Sequence, residues 1–311
     1  MRWLTADGYW LSRLVLQRAL AGVYLIAFIV ARNQFPALLG ERGLTPVPRY
    51  LRLVRFRQAP SLFHWRYSDR VFRVVAWVGM MAAAACLLGL PERGPLVASM
   101  LTWAVLWVLY LSIVNVGQVW YGFGWESLLL EAGFLAIFLG STRTSPPALI
   151  LWAFRWLLFR LEFGAGLIKL RGDRCWRELT CLHYHHETQP MPNSLSWYFH
   201  HLPGRMHRFE VLANHGTQLV VPWLLLAPQP VAAGAAIVVL VTQSWLVLSG
   251  NFSWLNVLTM TLAFAAIDWR GSPPDLSAPW WHQGLVVAVA ALVVVLSWWP
   301  VRNLLGRSGR Q

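Results

Sequence analysis

Residues 96–116 read LVASMLTWAVLWVLYLSIVNV, 21 positions without a charged side chain. An α-helix crosses the roughly 30 Å hydrocarbon core of a bilayer in about 20 residues. Lipid offers no partner to backbone N–H and C=O groups, so a run this long and this apolar is expected to be a membrane-spanning helix. Comparable runs lie at 14–30, 71–90, 125–139, 148–168, 212–227, 231–248, 252–267 and 284–299. No alternating pattern argues for a sheet. The expectation is an all-α, multi-pass transmembrane helical bundle of about nine spans, one domain over 1–311, with a polar loop between the fifth and sixth spans. The first run approaches spanning length and no small-residue cleavage site follows it, so it reads as a span and not as a cleaved leader.

Composition agrees, since 57% of the residues are hydrophobic, only 13% are charged and 20 of 311 are Trp. That is outside the range of soluble domains. A net charge of +13 would point to nucleic acid in a soluble protein. Here the arginines sit in loops and at helix ends, where they mark topology and contact with membrane lipid, and a nucleic-acid partner is excluded. The basic segment 31–70 contains GERGLTPVPRYLRLVRFRQAPSLFHWRYSDR, in which Arg49, Arg52 and Arg55 interleave with Leu51, Val54 and Phe56. That spacing fits a helix lying in the interface with its basic side chains at the head groups.

Charges inside the runs carry more information. A charged residue near a helix centre costs about 2.5–3.5 kcal/mol on insertion scales, against a gain of about 0.5 kcal/mol for Leu. Glu126 and Glu131 on the fourth run and Arg155, Arg160 and Glu162 on the fifth are therefore expected to point inward and pair between adjacent helices. Arg155, Glu162 and Lys169 recur every seventh residue and so share one helix face. Gly164 and Gly166 beside them permit close approach of a neighbouring backbone or ligand.

The fifth run leaves through Lys169 into the polar loop 170–208, whose first part reads LRGDRCWRELTCLHYHHETQPMPN. Cys175 and Cys181 stand at a spacing that a disulfide closes if the loop faces an oxidising compartment. A zinc knuckle favours a shorter gap and a second ligand pair. Cys86 lies within an apolar run as packing. His183, His185, His186, Glu187, His200, His201, His207 and His215 do not reproduce the wider internal gaps of di-iron histidine boxes, and no metal or cofactor is expected. They read instead, with Asp173, Trp176, Tyr184, Trp197, Tyr198 and Asn193, as a hydrogen-bonded interfacial cap whose turn is stiffened by Pro190 and Pro192. No P-loop, nucleophile elbow or dinucleotide fingerprint is present.

Four strings, GWESLLLEAGFLAIFL, RLEFGAGLIKLRGDRCWRELTCLHYHHETQPMPN, HRFEVLANH and LSGNFSWLNVLTM, closely resemble the lipase maturation factor family over most of the chain. The resemblance implies a multi-pass membrane protein that assists secreted enzymes such as lipases to an active fold. Its home would be the endoplasmic reticulum in a eukaryote or the cytoplasmic membrane in a bacterium, with the loop facing the client. Family members continue into a soluble C-terminal region, whereas this sequence stops at VRNLLGRSGRQ. GAGLIKL is also similar, more distantly, to the transmembrane domain of vitamin K-dependent carboxylase. That likeness implies an alternative in which Lys169 is a catalytic base acting on a quinone-like or lipid substrate.

Orientation is disputed within the sequence. With nine spans, the first loop, the loop after Lys169 and the C-terminus share a side rich in arginine, which the positive-inside rule makes cytoplasmic. The family resemblance and the cysteine pair make it the opposite side. We follow the latter, because an arginine-rich interfacial helix inflates the count.

Overall fold

The computed structural model describes residues 5–189, 191–270 and 277–305, the side chains of 303–305 excepted. In chain order the helices are α1 (Trp10–Leu39), α2 (Val47–Leu53), α3 (Asp69–Leu87), α4 (Leu90–Arg93), α5 (Leu96–Val116), α6 (Gly124–Ala136), α7 (Ala148–Arg171) and α8 (Arg174–Arg177). They continue with α9 (Leu182–Thr188), α10 (Ser196–His200), α11 (Gly204–Leu219), α12 (Val221–Leu224), α13 (Val231–Ser249), α14 (Leu255–Ala263) and α15 (Trp280–Leu305). No strand forms among the described residues, and the class is all-α.

Five helical segments are long and apolar enough to cross a membrane: Asp7–Leu39, Asp69–Leu87, Leu96–Val116, Val231–Ser249 and Trp280–Arg302. The other four sequence runs have a different form. The run at 125–139 is α6, of 13 residues. The run at 148–168 lies within α7, which has 24 residues but carries the buried Arg155 and Glu162. The run at 212–227 is divided between α11 and α12 around Val220, with Pro222 inside the short second piece. The run at 252–267 is α14 continued by a single 3₁₀ turn, Phe264–Ala266. Within 31–70 the interfacial helix is short, because Pro46 precedes α2 and the chain turns out of helix at Val54. Arg49, Arg52, Leu53, Arg55 and Phe56 are exposed together there.

Boundaries follow local chemistry. Ser68 Oγ accepts the Val71 N–H at the start of α3, and Gly89 at φ +73° turns the chain beyond its end. Pro95 and Pro147 precede α5 and α7, where a missing N–H costs nothing.

α1 is the helix around which α3, α5, α6 and α14 pack. Its buried face, Leu16, Leu20, Tyr24, Ala27, Ala31 and Phe35, steps by three or four residues, with Phe28 beside it. Tyr24 meets Tyr110 edge-on at 5.6 Å, and Phe35 stacks on Phe72 at 4.2 Å. Facing away from this core, Val74, Trp77 and Met81 on α3, Leu101 and Val105 on α5, and Val294, Val295 and Leu296 on α15 stand exposed. An apolar outer surface of this kind suits hydrocarbon.

Buried and half-buried polar side chains close the ends of these helices, where carbonyls lack an intrahelical partner. At the end of the α14 segment, Arg155 Nε donates to Ala265 O at 2.8 Å, Gln229 to Ala266 O at 2.6 Å and Ser12 to Ile267 O at 2.7 Å. Beyond α6, Gln17 donates to Gly140 O at 2.9 Å and Arg13 donates to Thr144 O. Arg18 holds Cys86 O near the end of α3 at 2.6 Å and pairs with the buried Glu92 at 3.2 Å.

Helix α3 crosses α1 at Gly79, where an added Cβ would come within 2.4–2.5 Å of ring atoms of the fully buried Phe28. Gly79→Ala is expected to destabilise the bundle by about 1–3 kcal/mol through overpacking. A drop in the thermal midpoint of the detergent-solubilised chain checks this, and an unchanged midpoint would show that the helices part freely.

Candidate functional site

Helices α7, α8, α9, α11, α13 and α14 converge on one cavity of about 600 Å³. Its walls include Glu162 and Lys169 from α7, His185 and His186 from α9, Glu210, Asn214 and Gln218 from α11, and Gln243 and Trp245 from α13. Most of the remaining lining is apolar, with Leu161, Leu246, Phe252 and Leu255 among it.

Lys169 Nζ donates to Asn214 Oδ1 at 2.6 Å and to Gln218 Oε1 at 2.9 Å, and lies 4.9 Å from the centre of the Trp176 ring. The lysine thus ties α7 to α11 and supports the start of the loop. Two turns earlier, Glu162 is 1% exposed, and its Oε1 accepts from Gln243 Nε2 at 2.6 Å while Oε2 has no partner.

The charged residues expected to form one network are distributed over separate partners. Arg160 makes a two-oxygen contact with Glu131, at 2.9 and 3.2 Å, between α7 and α6. This pair lies at the surface, a correction to the inward placement, because mutual neutralisation removes much of the cost of facing outward. Glu126 is buried and accepts from Tyr110. Arg155, besides its bond to Ala265 O, donates to Tyr9 Oη at 2.7 Å and stacks against Trp152. The seven-residue repeat Arg155, Glu162, Lys169 therefore shares a face of α7 without a direct bond among the three being made.

The loop is closed by a disulfide between Cys175 and Cys181, with Cα atoms 4.8 Å apart. Asp173 Oδ1 accepts the Cys175 N–H at 3.0 Å and caps α8. His215 Nε2 on α11 lies 3.0 Å from Trp176 O and fastens the same turn. Asn193 docks the other end: its Nδ2 donates to Val247 O, Leu248 O and Gly250 O at 2.9–3.1 Å, and its Oδ1 accepts from Leu195 N and Ser196 N. One side chain thereby satisfies the terminal carbonyls of α13 and the turn into α10. Pro192 is exposed, and Pro190 lies outside the described residues.

The histidines cluster across α9, α10 and α11. His183 packs edge-on against His207 at 5.3 Å, His185 against His186 at 5.7 Å, and Glu187 reaches His200 at 3.4 Å. Burial, then the neighbouring His185 and His207, push His186 down to about 4, so its ring is neutral near pH 7. Burial and then the Lys169 charge lower His185 as well.

Sequence reasoning passed over Glu210, Asn214, Gln218 and Gln243. The signal was available in α11, where His207, Glu210, Asn214 and Gln218 step by three, four and four residues along one face. It was hidden because the latter part of that helix was weighed as an apolar run.

Residues 11–271 match the family model described as the lipase maturation factor transmembrane domain. The chain belongs to the lipase maturation factor family and is an integral membrane protein. It is 44% identical over 281 residues to lipase maturation factor 1 of Homo sapiens, covering 85% of this chain and 50% of that one. To lipase maturation factor 1 of Mus musculus it is 43% identical, covering 85% and 49%. Lipase maturation factor 2 of Gallus gallus is 37% identical over 273 residues, 80% of this chain and 37% of that protein. The chain thus spans about half the length, or less, of these curated relatives. No solved structure matches it.

The disulfide yields a direct test. Cys175 and Cys181 should resist alkylation in unreduced protein and react after reduction. Replacing both with Ser should cost the loop about 2 kcal/mol in the chain-entropy view of so short a closure, read as faster proteolysis at the exposed Arg174 and Arg177. Immediate labelling of both thiols without reductant would contradict it.

Proposed function

We propose that this chain is the membrane-embedded part of an apparatus that brings secreted enzymes, lipases among them, to an active fold. Its membrane is that of the endoplasmic reticulum in a eukaryote and the cytoplasmic membrane in a bacterium. The observation that carries this reading is the loop 170–208, a polar platform closed by the 175–181 disulfide and docked by Asn193 and His215, which presents the exposed Trp197 and Tyr198. A client that is still folding offers apolar and hydrogen-bonding surface together, and aromatic side chains with a polar edge meet both. The curated names of the relatives support the same reading.

In this proposal the chain 1–311 is a single domain crossing nine times, with α6, α7, the α11–α12 pair and the α14 segment completing spans beside the five long apolar helices. Segment 31–70 lies at the head groups, and the loop between the fifth and sixth spans faces the oxidising, client side. Lys169 acts as a tether through Asn214 and Gln218, not as a base.

Two experiments follow. In cells deprived of their own factor, supplying this chain should raise the share of secreted lipase that is active. Trp197→Ala with Tyr198→Ala should lower that share several-fold at equal chain abundance, whereas unchanged lipase output would remove the loop from client contact.

The second experiment concerns Lys169. Lys169→Arg keeps a donor and should retain most maturation, while Lys169→Met leaves two amide oxygens unserved and should reduce folded chain, at a cost of about 1–3 kcal/mol. A guanidinium cannot act as a base near neutral pH. If both variants fold normally and both abolish activity, proton transfer at Lys169 becomes the better account.

A further inference from the structure

Beside the cavity, one ring nitrogen each of His186 and His207 and one carboxylate oxygen of Glu210 lie within 4.8 Å of one another. The two histidines are 4% and 2% exposed, and the Glu210 side chain is 8% exposed. Two imidazoles and a carboxylate form a donor set that suits zinc and other divalent first-row transition ions.

The hydrogen bonds around the three residues leave each of them with a donor atom suited to such an ion. His207 Nε2 lies 3.2 Å from His200 O, and Nδ1 lies 3.3 Å from Glu210 Oε2. A neutral imidazole has one N–H and can serve only one of those oxygens. Donation from Nε2 to the backbone carbonyl is the outer bond typical of a ligating histidine, and it turns the Nδ1 lone pair toward Glu210. Glu210 Oε1 accepts from Trp245 Nε1 at 2.9 Å, which fixes the carboxylate and leaves Oε2 free. His186 Nε2 is buried with no hydrogen-bond partner, while its Nδ1 lies 3.5 Å from the Gln189 amide; with the amide oxygen turned to accept the Nδ1 proton, the Nε2 lone pair is available to a cation. A proton shared by His207 and Glu210 would satisfy that pair and still leave His186 Nε2 without a partner, whereas a cation meets one ligand atom of each residue.

We propose that His186, His207 and Glu210 bind a divalent transition-metal ion, zinc foremost, with an open coordination position toward the cavity. Both His186 and Glu210 line that cavity, so the remaining position is reachable by water or by an oxygen of a cavity ligand. In a tetrahedral site the ligand atoms sit about 3.4 Å apart, so small side-chain rotations close the present arrangement. The ion would join α9 to α11 and give the loop a cross-link independent of the disulfide. Spacing within the loop argued against histidine boxes, and it did not weigh ligands drawn from two helices.

The test uses the full chain in detergent, stripped with a chelator and titrated with Zn²⁺ alone. One ion per chain is expected, with a rise in thermal midpoint. Glu210→Gln keeps the acceptor for Trp245 but loses the anionic oxygen, and it should weaken binding about 100-fold or more. Trp245→Phe, which removes the N–H donated to Glu210 while keeping an aromatic ring against Phe199, should weaken it roughly 10- to 100-fold. His201→Ala, on an exposed ring outside the triad, should change nothing. Co²⁺ in the unmutated protein should give the intense visible bands of a four- or five-coordinate site. The proposal is overturned if Zn²⁺ binds equally to the Glu210→Gln chain, if His201→Ala weakens binding as much, or if Co²⁺ shows only a weak octahedral spectrum.

Discussion

A helix that stops within the bundle leaves carbonyl oxygens unpaired, and hydrocarbon cannot solvate them. Much of this structure can be understood as the response to that constraint. Arg155, Gln229 and Ser12, from three different parts of the chain, converge on three successive carbonyls at residues 265–267. Gln17 and Arg13 serve the chain beyond α6, and Asn193 serves the end of α13. The polar residues of α1 are therefore not flaws in a membrane helix. They allow α6 and the α14 segment to remain short while the backbone around them stays satisfied.

The same logic positions the cavity. Short and interrupted helices leave room that full-length ones would fill, and α11 breaks at Val220 before Pro222 resumes the chain. Between α7, α9, α11 and α13 the space is lined by apolar side chains with a small number of amides and charges, the usual composition of a binding site. Lys169 links two of these walls, and the loop covers the region above them.

Long apolar runs identified α3, α5, α13 and α15 directly, because about twenty apolar residues leave a chain few choices. α1 extends further at both ends than its apolar centre suggests, from Trp10 to Leu39, since Ser12, Arg13 and Gln17 find carbonyls and Pro36 is tolerated inside it. The disulfide was legible from the spacing of Cys175 and Cys181. Partners of single charges were not: Arg155 faces a carbonyl 110 residues away, and Glu162 an amide 81 residues away. Heptad spacing shows which face a residue occupies but not which loop or helix will be packed against it. The polar stripe of α11 was legible in principle, and was missed because hydropathy was averaged over a segment that the fold divides.

Asn193 and the cysteine pair hold opposite ends of one loop by bonds of different chemical character. A thiol reductant can open the link between Cys175 and Cys181, but it has no means of releasing an amide from three carbonyls. Reduction would therefore remove one of the links at α8, leaving that turn to His215 and the Lys169–Trp176 contact, while α10 stays moored to α13. The loop has a redox-sensitive half and an indifferent half, so its aromatic surface at Trp197 and Tyr198 keeps its place when the thiol balance of the compartment shifts.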